Sequence, residues 1–154
     1  MAEPVSWLTL ESYREEVLKI TPANGYLTAI GAGQIILDRA KLTLSDVPVT
    51  LITAGDIVPK EGAQGRGVMS SDMDISFEVA VPFDTENAEL VAHRARADLI
   101  RMLLSAANRF VAGRGSIVIT GSAIDSDANA AGISFTLAQV TARAGLTETY
   151  SLAE

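Results

Sequence analysis

The sequence predicts a single α+β domain: a mainly antiparallel β-sheet packed on one face by an N-terminal helix and a long central helix. The first observation behind this is the alternation over residues 74–83. There Ile75, Phe77, Val79, Val81 and Phe83 share one face, and Asp74, Ser76, Glu78 and Ala80 share the other. Side chains along a strand repeat every two residues, so this run has one buried and one wetter face. The second observation is the segment that follows. Ala88, Val91, Ala92, Ala95, Leu99, Met102, Leu103, Ala106 and Phe110 form one stripe of a helix over residues 85–111, and its small side chains suit close packing on a sheet. The third is the element order: a helix, three strands, a helix and two strands.

The first helix is expected over residues 9–20, because Leu10, Tyr13, Val17 and Ile20 recur at helical spacing and Glu15 precedes Lys19 by one turn. Thr9 is its expected N-cap. Pro22, Ala23, Asn24 and Gly25 stop it, and Asn-Gly suits a turn with positive φ. Gln34 to residue 38 reads as a short strand. Val47, Val49 and Leu51 alternate with Pro48, Thr50 and Ile52 in a second strand, whose proline places it at an edge or a strand start. Asp56 to Gly67 reads as a loop.

Asp84 is the expected cap of the central helix, and Gly113 and Gly115 end it. A strand follows at Ser116–Thr120 with Ile117 and Ile119 on one side, then a polar turn from Asp125 to Asn129. The last strand is expected over Gly132–Ala144, with Ile133, Phe135 and Leu137 facing inward and a bulge near Gln139 and Val140. The domain spans residues 1–154, and residues 146–154 are expected to form a mobile or partner-bound tail.

Composition narrows the chemistry. With no Cys and a single His, the chain lacks thiolate nucleophiles, disulfides and the ligand sets of most zinc sites. No cofactor, metal or catalytic residue is expected. Its 12 Lys and Arg against 19 Asp and Glu give an acidic surface that repels a polyanion, so DNA could pass it but would not be gripped by phosphate neutralisation. Acidic residues scattered through Met1–Ile20 argue against a secretory leader, and no apolar run is long enough to span a membrane. The protein is expected to remain in the cytoplasm where it is made.

Several constellations fall short of a site. Asp125, Asp127 and Asn129 match the first places of a calcium loop, but Ala130 stands where glycine is needed and Thr136 where a bidentate Glu is needed. Gly62, Gly65 and Gly67 around Arg66 lack the spacing and the Lys of a phosphate loop. His93 lies off the apolar stripe with Glu89 one turn before it, and Asp72 and Asp74 lack an evident acid/base partner. Arg94, Asp98 and Arg101 lie along one helix flank at spacings of four and three, either as a solvated ion-pair row or as a row facing acidic groups of a neighbouring subunit.

The ordered features resemble a known family. The N-terminal helix, the segment Asn24-Gly25-Tyr26-Leu27-Thr28-Ala29-Ile30-Gly31, the acidic Ser45-Asp46 before Val47-Pro48, the strand 74–83 and the Ala-rich helix after it are similar to tail terminator proteins of long-tailed bacteriophages. The likeness extends over Thr9–Tyr150 and centres on Gly-Tyr-x-Thr-x-x-Gly, here Gly25–Gly31. It implies a structural virion protein rather than an enzyme. Such a protein forms a hexameric ring with copies of itself at the head-proximal end of the tail, caps the tail tube protein, stops its polymerisation and presents the surface that joins the head–tail connector protein. DNA passes through the lumen without specific binding. The expected subunit or tube contacts are Asp56, Glu61, Arg66, Arg94, Asp98, Arg101, Glu148 and Tyr150. Another neck or tail-completion protein is the nearest alternative, and a small enzyme or ligand-binding domain using Asp72, Asp74 or His93 is a third.

Overall fold

In the computed structural model, residues 3–38, 48–82, 85–106, 115–130 and 133–152 are described. Helix α1 spans Val5–Val17 and α2 spans Ala88–Ala106; the strands are β1 (Gln34–Ile36), β2 (Val49–Gly65), β3 (Val68–Pro82), β4 (Ile117–Ala130) and β5 (Ile133–Thr149). The five strands form one sheet in the order β1-β2-β3-β5-β4. Only β1 and β2 run parallel; the β2–β3, β3–β5 and β5–β4 pairs are antiparallel. The α+β architecture read from the sequence is therefore the one observed.

The alternation in β3 sets the layers. Met73, Ile75, Phe77, Val79 and Val81 are buried toward the helices, and register places Ile52 of β2 and Val140 of β5 on either side of Phe77. Tyr13 of α1 meets the Phe77 ring edge-on at 5.7 Å, the geometry in which a ring's positive edge faces its partner's negative face. Helix α2 lies over Ala138, Ala142 and Ala144 of β5, all fully buried along with its own Ala92 and Ala95. Small side chains on both surfaces let backbone approach backbone, and the gain comes from dispersion over many contacts.

Several expectations are corrected. Helix α1 begins at Val5 behind Pro4, not at Thr9. Thr9 is buried inside the helix, where its Oγ1 donates to the Val5 carbonyl at 2.8 Å. A proline at the start costs nothing, since the first helical turn has no carbonyl for its N–H to reach. Residues 56–65 are strand rather than loop, and so are residues 121–130, which include the expected turn from Asp125 to Asn129.

In β5 the inward face is the opposite one. Thr136, Ala138, Val140, Ala142, Ala144 and Leu146 are buried, whereas Ile133 is exposed and Phe135 and Leu137 are half-buried on the outer face. The helices need the small residues beneath them, and that decides the parity. No bulge interrupts β5 against β3; the register shifts lie in β4, between Ile119 and Gly121 and between Asp125 and Ala128. The segment expected as a tail is strand as far as Thr149, and the Tyr150 N–H donates to the Gly67 carbonyl at 2.7 Å. The expected roles of Asp46, Val47, Phe83, Asp84, Phe110 and Gly113 lie outside the described residues.

Candidate assembly surfaces

The segment that carries the family resemblance is built into the fold by α2. Gly25 takes φ +84° at the end of a short 3-10 turn over Pro22–Asn24, a conformation that favours glycine. This aims its carbonyl at Arg101, whose guanidinium donates to it and lies 4.6 Å above the Tyr26 ring. One turn earlier on α2, the Asp98 carboxylate accepts the Leu27 N–H at 3.0 Å and the Thr28 N–H and hydroxyl at 2.7 and 2.6 Å. A carboxylate can be buried when its lone pairs are filled in this way. Gly31 closes the segment against the end of α1, donating to the Ile20 carbonyl at 2.9 Å. A Cβ there would stand 2.5–2.8 Å from the carbonyl oxygens of Leu18, Val17 and Ile20.

Asp98 is thus not part of an exposed row. It is 1% exposed and turned toward its own chain, while Arg94 and Arg101, which share its flank in sequence, are exposed. Next to the segment, Leu27, Ala29, Pro48, Val91 and Arg94 line an open depression of about 460 Å³.

The other expected contact residues gather elsewhere. Asp56, Glu61 and Arg66 are exposed on the β2–β3 hairpin, and Glu148 and Tyr150 sit on β5 and just past it, alongside that hairpin. From Ala54 to Gly65 β2 carries no buried side chain among those described. Near the core Ala54, Ile57 and Pro59 still pair with the buried Ile75, Met73 and Ser71 of β3. Toward the turn the paired Val68 and Met69 of β3, and Thr147–Thr149 of β5 on the far side of β3, are exposed or half-buried. Beyond Pro59 these stretches make a three-stranded arm outside the core, with Val68 and Tyr150 at its surface and the exposed Ile57 and Val58 at its base. Partial desolvation of the Tyr150 phenol, then the Glu148 charge and a hydrogen bond to Glu148, raise its pKa above the ordinary value near 10.

The acid/base candidates are engaged in surface pairs. Asp72 lies 3.7 Å from Lys60, Asp74 accepts from Arg143 at 3.2 Å, and His93 stands 3.8 Å from Glu89. Asp72 and Asp74 sit within β3 on the sheet's outer face, not at a strand start. Asp125 accepts the Asp127 N–H at 3.0 Å in the irregular part of β4. Among the described residues no group of three or more Asp, Glu or His could hold a metal ion, and no helix is long and apolar enough to cross a membrane.

No protein-family model matches the chain, and no curated protein matches it either. The lock between Asp98 and Thr28 is the feature that sequence reasoning missed. Its two halves stand 70 residues apart, and the spacing of Asp98 between two arginines suggested a surface ion pair instead.

Proposed function

We propose that the chain is a tail terminator of a long-tailed bacteriophage: a structural subunit that forms a ring, a hexamer by the family resemblance, on the finished end of the tail tube. It stops further subunit addition and offers the surface joined by the head–tail connector. The mechanism is occlusion. The last tube ring binds the terminator in place of another tube subunit, and the new outer surface no longer templates growth.

The observation that carries this reading is the three-stranded arm. It holds four of the expected contact residues, Glu61, Arg66, Glu148 and Tyr150, where the paired strands bury no core of their own, and Asp56 lies at its base. An arm of this kind offers surface rather than a cleft, and exposed apolar side chains rimmed by charge suit a protein partner. The structural reasons for Gly25, Tyr26, Thr28 and Gly31 support the resemblance that rests on them.

The test is tail length. Phage lacking this gene should assemble tails of uncontrolled length, and the purified chain should bind tail tubes and halt their growth in vitro. Normal tail lengths in the mutant would remove the assignment. Binding to connector rings with no affinity for tubes would replace it with a neck protein.

A further inference from the structure

Helix α2 carries a second pattern besides its buried stripe. Leu90, Arg94, Ala97, Arg101 and Leu104 recur at spacings of four and three, and all are exposed, Leu90 at 46% and Leu104 at 63%. This is the spacing of a helix seam that faces another helix, here with apolar ends and a cationic middle. Beside the ridge is an open depression of about 470 Å³ lined by Ala97, Ile100, Leu104 and Ser105.

Helix α1 shows the complement. Trp7, Glu11, Arg14 and Leu18 recur at four, three and four and are exposed, with Glu15 next to Arg14. The ends are again apolar, Trp7 at 37% and Leu18 at 42% exposure, but the middle carries two carboxylates against one guanidinium. An open depression of about 580 Å³ runs along this face past Leu8, Glu11 and Glu15. Neither Arg94 nor Glu15 has a partner among the described residues. At 1.5 Å per residue the ridges are about 21 Å and about 17 Å long, a close match in length.

We infer that the α2 ridge of one copy seats on the α1 ridge of a second copy, with Arg94 facing Glu15 while the apolar ends pack together. Arg101 and Glu11 stay on their own-chain partners, the Gly25 carbonyl and the Trp7 indole N–H. The occupant is argued from charge and pattern: the same chain supplies both a cationic and an acidic helix seam, each edged by leucine or tryptophan. Ridges then enter the neighbouring grooves as in any helix pair. The pairing deepens the proposed ring and rests on that reading only for the number of copies.

The test is sedimentation equilibrium of the full chain over a wide concentration range, with Arg94→Glu, Glu15→Arg and the two combined. Each single substitution should weaken self-association about tenfold or more, and the double variant should recover most of the loss, because the exchanged charges attract again. Far-UV circular dichroism should be unchanged, since both side chains are exposed. Leu104→Ser should weaken association without altering the fold. A chain that stays monomeric at every concentration overturns the inference, as does self-association indifferent to both single substitutions or a double variant that fails to recover. Association that follows the charge exchange but stops at two copies keeps the pairing and removes the ring. Rings that form regardless of the exchange do the reverse.

Discussion

The carboxylate of Asp98 accepts both the backbone N–H and the hydroxyl of Thr28, at 2.7 and 2.6 Å, from a helix that lies 70 residues further along the chain. This contact and its neighbour at Leu27 fasten the segment between α1 and β1 to α2. Three donors converge on one buried carboxylate, so removing the carboxylate leaves two backbone N–H groups without a partner.

Asp98→Ala should therefore cost about 3 kcal/mol of folding stability, from orphaned donors and a small cavity. Asp98→Asn, which keeps the shape and one acceptor, should cost about half of that. Urea unfolding followed by tryptophan fluorescence measures both. A loss under about 0.5 kcal/mol for the alanine variant would mean that the segment is held by other contacts.

Gly31→Ala should destabilise by about 2 kcal/mol or more, since the new Cβ would stand within 2.8 Å of three backbone carbonyl oxygens at the end of α1. Gly65→Ala is the control. Nothing lies within 4 Å of a Cβ there, and its midpoint in thermal unfolding should match the parent's.

Packing of α2 on the alanines of β5 predicts that Ala142→Leu is worse than an ordinary surface change. Ala142 is fully buried, and overpacking should cost about 1–3 kcal/mol. Phe77→Ala at the same layer should cost about 3–5 kcal/mol through the cavity it leaves beneath Tyr13. Thermal unfolding by circular dichroism checks both.

The Tyr150 phenol should titrate above the ordinary tyrosine value, because desolvation and the Glu148 carboxylate disfavour the phenolate. A pKa raised by folding adds stability that is present below the unfolded value near 10 and is lost as pH rises through the folded one. Ultraviolet difference titration against Tyr150→Phe isolates the group. Glu148→Gln should move it back toward 10, and a titration unchanged by that substitution would mean that the carboxylate does not act on it.

The sequence was most legible where one face meets a core. The alternation of Ile75, Phe77 and Val79 and the stripe from Ala92 to Leu103 report burial directly, and both elements are present, although β3 begins earlier than the alternation shows, at Val68, and α2 begins later than expected, at Ala88. Residues 56–65 gave no such signal because that half of β2 leaves the core and is exposed on both faces. Its strand is held by pairing with β3, and pairing leaves no hydrophobic period in one chain segment. The face of β5 was misread for a related reason: Phe135 and Leu137 are larger than Ala138 and Ala142, but α2 selects for small size beneath it. Of the contact residues, the separation into an arm group and a helix group was invisible in sequence. It depends on register between β3 and β5, which joins Val68 to Thr149.

The strand order carries a consequence for synthesis. β5 is the last described strand in the chain, yet it lies inside the sheet, between β3 and β4. Until a ribosome has released it, β4 has no neighbour and β3 keeps one side of its backbone open. The sheet is therefore completed from its middle, late, by a segment that must thread between two waiting edges. Contacts so distant in sequence close slowly, and an open edge invites pairing with other nascent chains. Many copies made at once would depend on that insertion outpacing clumping.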